Sequence, residues 1–600
     1  TITATAAGCD GPKVSTHTAS TIVASTFYSY QSGNWNDPNT WTFDPSGTTG
    51  PITSIPGNND IVVILPDRTV KLSADVTTTN HDITISNGGI LDESTNRFTN
   101  TLAALRGGGT LQLASAFFPT VTNNTFVTID GGTTEYMASG AFDLPAAQTI
   151  YYHLTINNTG ETARQVNDLV INGELNIKKG TYQINDATAI RRQLLVYGNV
   201  TVDFGASLTV GTGNTQTGSD TPISVTDGGT APFLNYYINE THRVIFQGNL
   251  LNNGTVRFTN QNRPKYDAFT NTGAATVFFQ GNKNAQISCY GTTDFYNLVV
   301  DKGVDQTFKL NVYSSDYSYF RLFGANTAAS ANSASANPDI KKALWVRNGT
   351  LVLQGLTVIP SLSEGTTSAG TSNSHFIIPA NGAIELAGSE VIVLCTADHF
   401  SEVEKAYNLS GGSNAVYGIN TGSGSYSGIS ILGKLQVTNG YLSTRESAGL
   451  LYWSYASGQF ILNSGTVDTK QFHNPERGTT GLVTFTQTGG QLILRGRFQN
   501  TINYPDVESL TSPALNTARA ANGIDGTAGI GTMSICANAS NGYIITGGTM
   551  SIYDIPGTTA TSYAFLVNCP VSNINVTGGT LEVLPTTGTA LADGNYLINS

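Results

Sequence analysis

The chain has 600 residues, 29 basic and 41 acidic, with a formal net charge of −12; only 12% are charged, while 39% are hydrophobic. Disorder couples low hydrophobicity to high charge, and coiled coils need Glu, Lys and Arg in quantity, so this composition excludes both. Gly supplies 65 residues, above the usual share of ~7%, and Thr, Ser and Asn abound, which points to an all-β chain. Without a basic stripe to replace phosphate counterions, nucleic acid is not an expected partner, and no run of 18 apolar residues offers a membrane-spanning helix.

Residues 1–30 form a Thr/Ser/Ala-rich segment that opens Thr1-Ile2-Thr3, with no basic start or apolar core of an export signal. Any such signal is expected to have been removed or to lie upstream. Residues 31–80 read as a capping region. Trp35 and Trp41 flank Asn36-Asp37-Pro38-Asn39, and Pro56-Gly57-Asn58-Asn59-Asp60 precedes the strand Ile61-Val62-Val63-Ile64. A solenoid exposes unpaired strand edges at its ends and needs a cap, which the two Trp side chains suit. Asp37 and Asp60 read as turn-formers, with calcium ligation as the lesser alternative; no other cofactor is implied.

From 81 to 600 one phrase recurs: an alternating strand, a glycine turn, often a Thr, then another alternating strand. It appears as Ile85-Ser86-Asn87-Gly88-Gly89-Ile90-Leu91, around Gly180 and Gly349, as Leu462-Asn463-Ser464-Gly465-Thr466-Val467, and around Gly490. The clearest copies are Thr546-Gly547-Gly548-Thr549 and Thr577-Gly578-Gly579-Thr580. Strict alternation puts one face of each strand inward, and Gly supplies the positive φ that bends the chain. A parallel β-helix with coils of roughly 20–30 residues fits this punctuation; about 22 coils at ~4.8 Å would reach ~100 Å. Tandem β-sandwich modules are the alternative. Breaks near 211–231, 325–342, 361–374 and 500–530 read as loops. The chain stops in mid-strand phrase at Asn595–Ser600, so the natural polypeptide is expected to continue.

These phrases resemble those of large exported, repeat-rich surface proteins of the Bacteroidetes, many of them cargo of the type IX secretion system. The resemblance rests on three stretches. They are Ser32-Gly33-Asn34-Trp35 through Ile64, the pair Tyr151–Ile156 and Phe295–Val300, and the terminal Thr-Gly-Gly-Thr copies. It implies a secreted, cell-surface, adhesin-like solenoid, sometimes linked to gliding, whose partners are surface glycans or other cell-surface proteins together with the secretion machinery. The C-terminal sorting domain of such cargo is not among these residues.

Chemistry is sparse. Polysaccharide-active β-helix enzymes (lyases or glycoside hydrolases) bring carboxylates together along one groove. The Asp-Asp and Gly-His-Gly signatures of one such group are absent, and only Arg263-Pro264-Lys265 matches the remaining Arg-x-Lys. The pairs His81-Asp82 and Asp398-His399 would point to opposite strand faces. No catalytic constellation emerges, so the chain reads as a non-enzymatic scaffold, with the enzyme as the alternative.

The five cysteines (Cys9, Cys289, Cys395, Cys536, Cys569) lack metal-ligand spacing and read as buried small residues, with a Cys536–Cys569 contact left open. Two aromatic groups stand out, VYSSDYSYFRLF and LLYWSYASG. Parity places Tyr317 with Tyr319, and Trp453 with Tyr455, on common strand faces. They either form patches that bind a sugar ring or partner, or they cover the solenoid's own flank.

Overall fold

The computed structural model describes residues 2–6, 13–17, 24–185, 190, 192–211, 223–224, 235–236, 242–260, 273–323, 343–360, 362, 376–394, 428–444, 450–453, 458–469, 471–473, 484–495, 533–535, 542–553, 565–568, 570–583 and 596–599. They fall into two compact units, Thr1–Asn157 and Asn158–Ser600. Among the described residues there is no α-helix. The parallel β-helix reading holds: strands separated by a full lap of chain lie side by side in parallel register. Sandwich modules would instead pair neighbouring strands antiparallel, and that alternative is overturned.

In the first unit, strands Thr26–Ser29, Ile61–Ile64, Asp82–Ile85, Leu102–Arg106 and Val121–Asn124 stack in parallel. A second sheet runs Thr69–Lys71, Ile90–Ser94, Thr110–Leu113 and Thr133–Tyr136. Parallel stacking therefore already includes Ile61–Ile64 and Thr69–Lys71, ahead of position 81. At the first sheet's edge Trp41–Thr42 pairs antiparallel with Thr26–Ser29. Trp41 is fully buried there, donates its indole N–H to the Trp35 carbonyl at 2.8 Å, and meets the Trp35 ring edge-on at 5.3 Å. Trp35 in turn packs on Phe98 at 5.2 Å. Asp37 caps a short 3-10 turn by accepting from the Asn39 N–H, and Asp60 accepts from the Ser25 and Gly57 N–H groups.

In the second unit each coil has three strands. The first face stacks Leu169–Ile171, Gln193–Val196, His242–Phe246, Ala275–Gln280, Asn297–Asp301 and the start of Leu344–Gly355. Further on it includes Phe376–Ile378, Gly428–Ile431, Leu450–Trp453, Gln471–His473, Met533–Ile535, Phe565–Asn568 and Tyr596–Asn599. The second and third faces form one long bent sheet, from Leu175–Gln183 to Thr580–Val583.

The glycine phrase maps to two different corners of this triangle. The copy around Gly349 bends the first face into the second, inside the unbroken strand Leu344–Gly355. The copies at Gly180, Gly465, Gly490, Gly548 and Gly579 bend the second face into the third. That second corner stays between two and five residues long in every described coil. Gly465 shows why: at φ +76 it is left-handed, and a Cβ there would collide with the Gly440 carbonyl oxygen one coil below. Backbones of successive coils touch at that point, so only glycine fits there.

Long stretches of chain leave almost always by the third edge, between the third face of one coil and the first face of the next. They lie between Thr209 and His242, Leu322 and Leu344, Leu394 and Gly428, and Leu494 and Met533. The exceptions are the connections from 301 to 309, from 473 to 484 and from 535 to 543. The segments read as loops lie almost wholly outside the described residues.

The core is an in-register ladder. Phe460, Phe485 and Tyr543 occupy the same inward position on successive coils and stack at 5.5 and 5.4 Å, each pair at 24°. Because each coil touches only its neighbours, Phe485→Ala should cost about 3–5 kcal/mol and be felt locally. Amide exchange should accelerate at 460–462, 484–487 and 543–545 and stay unchanged at 82–85. Uniform acceleration would contradict coil-by-coil stability.

Candidate functional site

The tight corner between the second and third faces stacks without interruption, and the residue just before its glycine projects outward. On four successive coils that residue is Lys179, Phe204, Asn253 and Tyr290, preceding Gly180, Gly205, Gly254 and Gly291. Lys179 is exposed, Phe204 is 91% exposed and Tyr290 48% exposed. Successive rungs lie ~4.8 Å apart, so these residues form a column along the corner; Asn253 and Tyr290 share a register position, whereas the corner that carries Phe204 (203–206) is two residues longer than the one that carries Asn253 (253–254) and pushes Phe204 further out.

Inward side chains brace it. Asn252 is buried, donates its Nδ2 to the Thr292 carbonyl and the Thr293 hydroxyl, both at 2.8 Å, and accepts from the Gly254 N–H. Cys289 lies in register with it, fully buried. Burial pushes its thiol up to about 12, so it serves as packing. The other four cysteines lie outside the described residues.

The next rung brings a correction. Tyr317 and Tyr319 do not share a strand face: strand Lys309–Ser314 ends before them, and both sit in the turn that leads to Phe320–Leu322. Asp316 makes that turn by accepting from the N–H and hydroxyl of Ser318 at 2.8 and 2.7 Å, which lower its pKa. Parity fails where an Asx turn replaces extended chain. Tyr317 reaches along the edge to donate to the Glu390 carboxylate and carbonyl at 3.2 Å, while the Tyr319 carbonyl accepts from the Thr293 N–H. Tyr313, on the strand, packs at 5.9 Å from Tyr290. Trp453 ends strand Leu450–Trp453 on the first face; its side chain and Tyr455 lie outside the described residues.

At the start of the column a groove of about 330 Å³ opens over three coils. Thr159, Gly160, Lys178, Lys179, Gly180, Thr181, Phe204 and Gly205 line it. Gly160 and Gly205 are left-handed with open space where a Cβ would stand.

Elsewhere two buried carboxylates are held by arginines. Asp294 is fully buried and accepts from Arg257 at 2.8 Å and from Arg321 at 2.7 and 2.9 Å, the three lying in register on successive coils. Asp468 accepts two bonds from Arg495 at 2.8 Å. Every oxygen of both carboxylates accepts from a guanidinium N–H. His81 is buried, with Nε2 2.6 Å from the Thr78 hydroxyl, whereas Asp82 pairs outward with Arg106 at 2.7 Å, so that pair forms no dyad. Asp398, His399 and Arg263-Pro264-Lys265 lie outside the described residues. No group of three His, Cys, Asp or Glu converges as a metal site among the described residues.

Three features escaped the sequence reading. The first is the corner column itself, whose signal was the residue before each corner glycine. The second is an outward column in register, Leu195, Ile245, Phe278, Val299 and Trp345, half-buried at Leu195 and buried at the other four, with Arg243 and Arg347 over the Phe278 and Trp345 rings. The third is a set of buried ionisable groups. Lys302 donates to the Gln280 carbonyl at 2.6 Å, and burial lowers its ammonium to about 8. Glu93 is buried with Oε1 unpartnered, and burial, then Asp92, holds its carboxyl well above the usual range.

No family model, curated protein or solved structure matches the chain.

A raised acid pKa means the fold favours neutral Glu93. Its contribution is full below the unfolded pKa of ~4.3 and is lost as pH rises through the folded value. Glu93→Gln should therefore raise the urea midpoint of the first unit at pH 7 and leave it nearly unchanged at pH 4. An equal effect at both pH values would contradict a neutral buried carboxyl.

Proposed function

We propose that this chain is a secreted, cell-surface β-solenoid scaffold whose tight corner attaches to surface glycans. The observation that carries the reading is the column Lys179, Phe204, Asn253 and Tyr290. Two large rings, Phe204 and Tyr290, are held out to solvent two coils apart on this edge. An exposed aromatic ring on a rigid scaffold offers broad apolar area at small entropic cost, which suits the face of a sugar ring. Repetition at coil spacing lets a chain-like ligand meet several rungs at once, and each added contact raises avidity without new affinity per site. The resemblance of the repeats to exported Bacteroidetes surface proteins supports the location and the adhesive role, including a part in gliding.

The test uses beads coated with the full chain and passed over glycan-coated surfaces. Phe204→Ala combined with Tyr290→Ala should weaken retention about tenfold, the loss of ~1.4 kcal/mol. Both side chains are exposed, so the thermal transition should not move. Unchanged retention, or release of sugar from the glycan by the purified chain, would overturn the reading.

A further inference from the structure

The groove at the head of the column has a chemistry of its own. We infer that it binds an acidic saccharide, one bearing carboxylate or sulfate groups; this rests on the glycan-binding reading and names the ligand class of the same edge. Three observations carry it. In a chain of net charge −12, this groove presents two adjacent lysines, Lys178 and Lys179, and no carboxylate lines it. The next coil supplies Phe204, 91% exposed beside them. The floor is glycine on three successive coils, Gly160, Gly180 and Gly205, all with positive φ, so a ring can lie directly against backbone.

At about 330 Å³ the groove falls within the ~300–1,000 Å³ range of small-ligand sites. An ammonium meets an anionic oxygen in a charge-assisted hydrogen bond, while the ring and the glycine floor take the apolar face of the sugar. A neutral glycan would gain the stacking and no charge-assisted bond. The lysines are surface groups, so binding weakens as salt rises.

The experiment measures binding of the full chain to polygalacturonate, dextran sulfate and neutral dextran, each at low and at 0.5 M salt. Lys178→Glu/Lys179→Glu should lower affinity for the acidic polymers at least about tenfold and leave neutral dextran unaffected. Phe204→Ala should weaken all the polymers that bind. Preference for polygalacturonate assigns carboxylate, and preference for dextran sulfate assigns sulfate. Equal binding of acidic and neutral polymers, with the lysine variant unchanged, overturns the acidic-saccharide inference and leaves glycan attachment standing. Failure of every polymer to bind overturns the inference and removes the support for the wider reading as well. An unchanged melting profile shows that losses in the variants arise at the groove.

Discussion

Each coil of this protein has only its neighbours to keep its apolar side from water. Everything else in the fold follows from that constraint. A lone three-stranded lap buries almost nothing, whereas a lap stacked in register puts Phe485 between Phe460 and Tyr543. Stacking at ~4.8 Å requires strands in successive coils to begin and end together. The corner between the second and third faces therefore stays short, and where backbone meets backbone, glycine is the residue that fits. Most length variation falls at the third edge. The same requirement explains why charges on the walls arrive in matched sets: Arg257, Asp294 and Arg321 occupy one register position, and an isolated Asp294 at full burial would be costly.

Alternation and glycine punctuation make the solenoid legible in the residues alone, because both are direct consequences of strand parity and corner geometry. They could not tell one corner from the other. The phrases around Gly349 and Gly465 share glycine, Thr and flanking alternation, yet they turn different pairs of faces. Parity also carried information that the sequence reading did not use. In Leu91-Asp92-Glu93, Glu93 shares the inward side with Leu91, and Lys302 shares it with Val300, so both buried ionisable groups were visible in principle. First-face strands such as Thr276-Val277-Phe278-Phe279 and Leu298-Val299-Val300 lose alternation because both of their sides are covered; that loss was the signature of the buried outward column. Tyr317 and Tyr319 were misplaced for a different reason. Asp316 and Ser318 offer the backbone a local turn, and a turn resets the parity on which the assignment rested.

The corner column bears on function through rigidity. Side chains on long loops lose conformational freedom when they bind, and that loss subtracts from affinity. Phe204 and Tyr290 stand on backbone already ordered by the coils above and below, with Asn252 tying the corner between them, so little backbone order remains to be imposed. The inward side of this edge needs polar bracing, a tight turn and glycine, which leaves the outward residue before the glycine free to vary without cost to the stack. Asn253 and Tyr290 differ in chemistry while holding one register position. A solenoid built this way can change what it recognises by substitution at that one position per coil, without disturbing the in-register core.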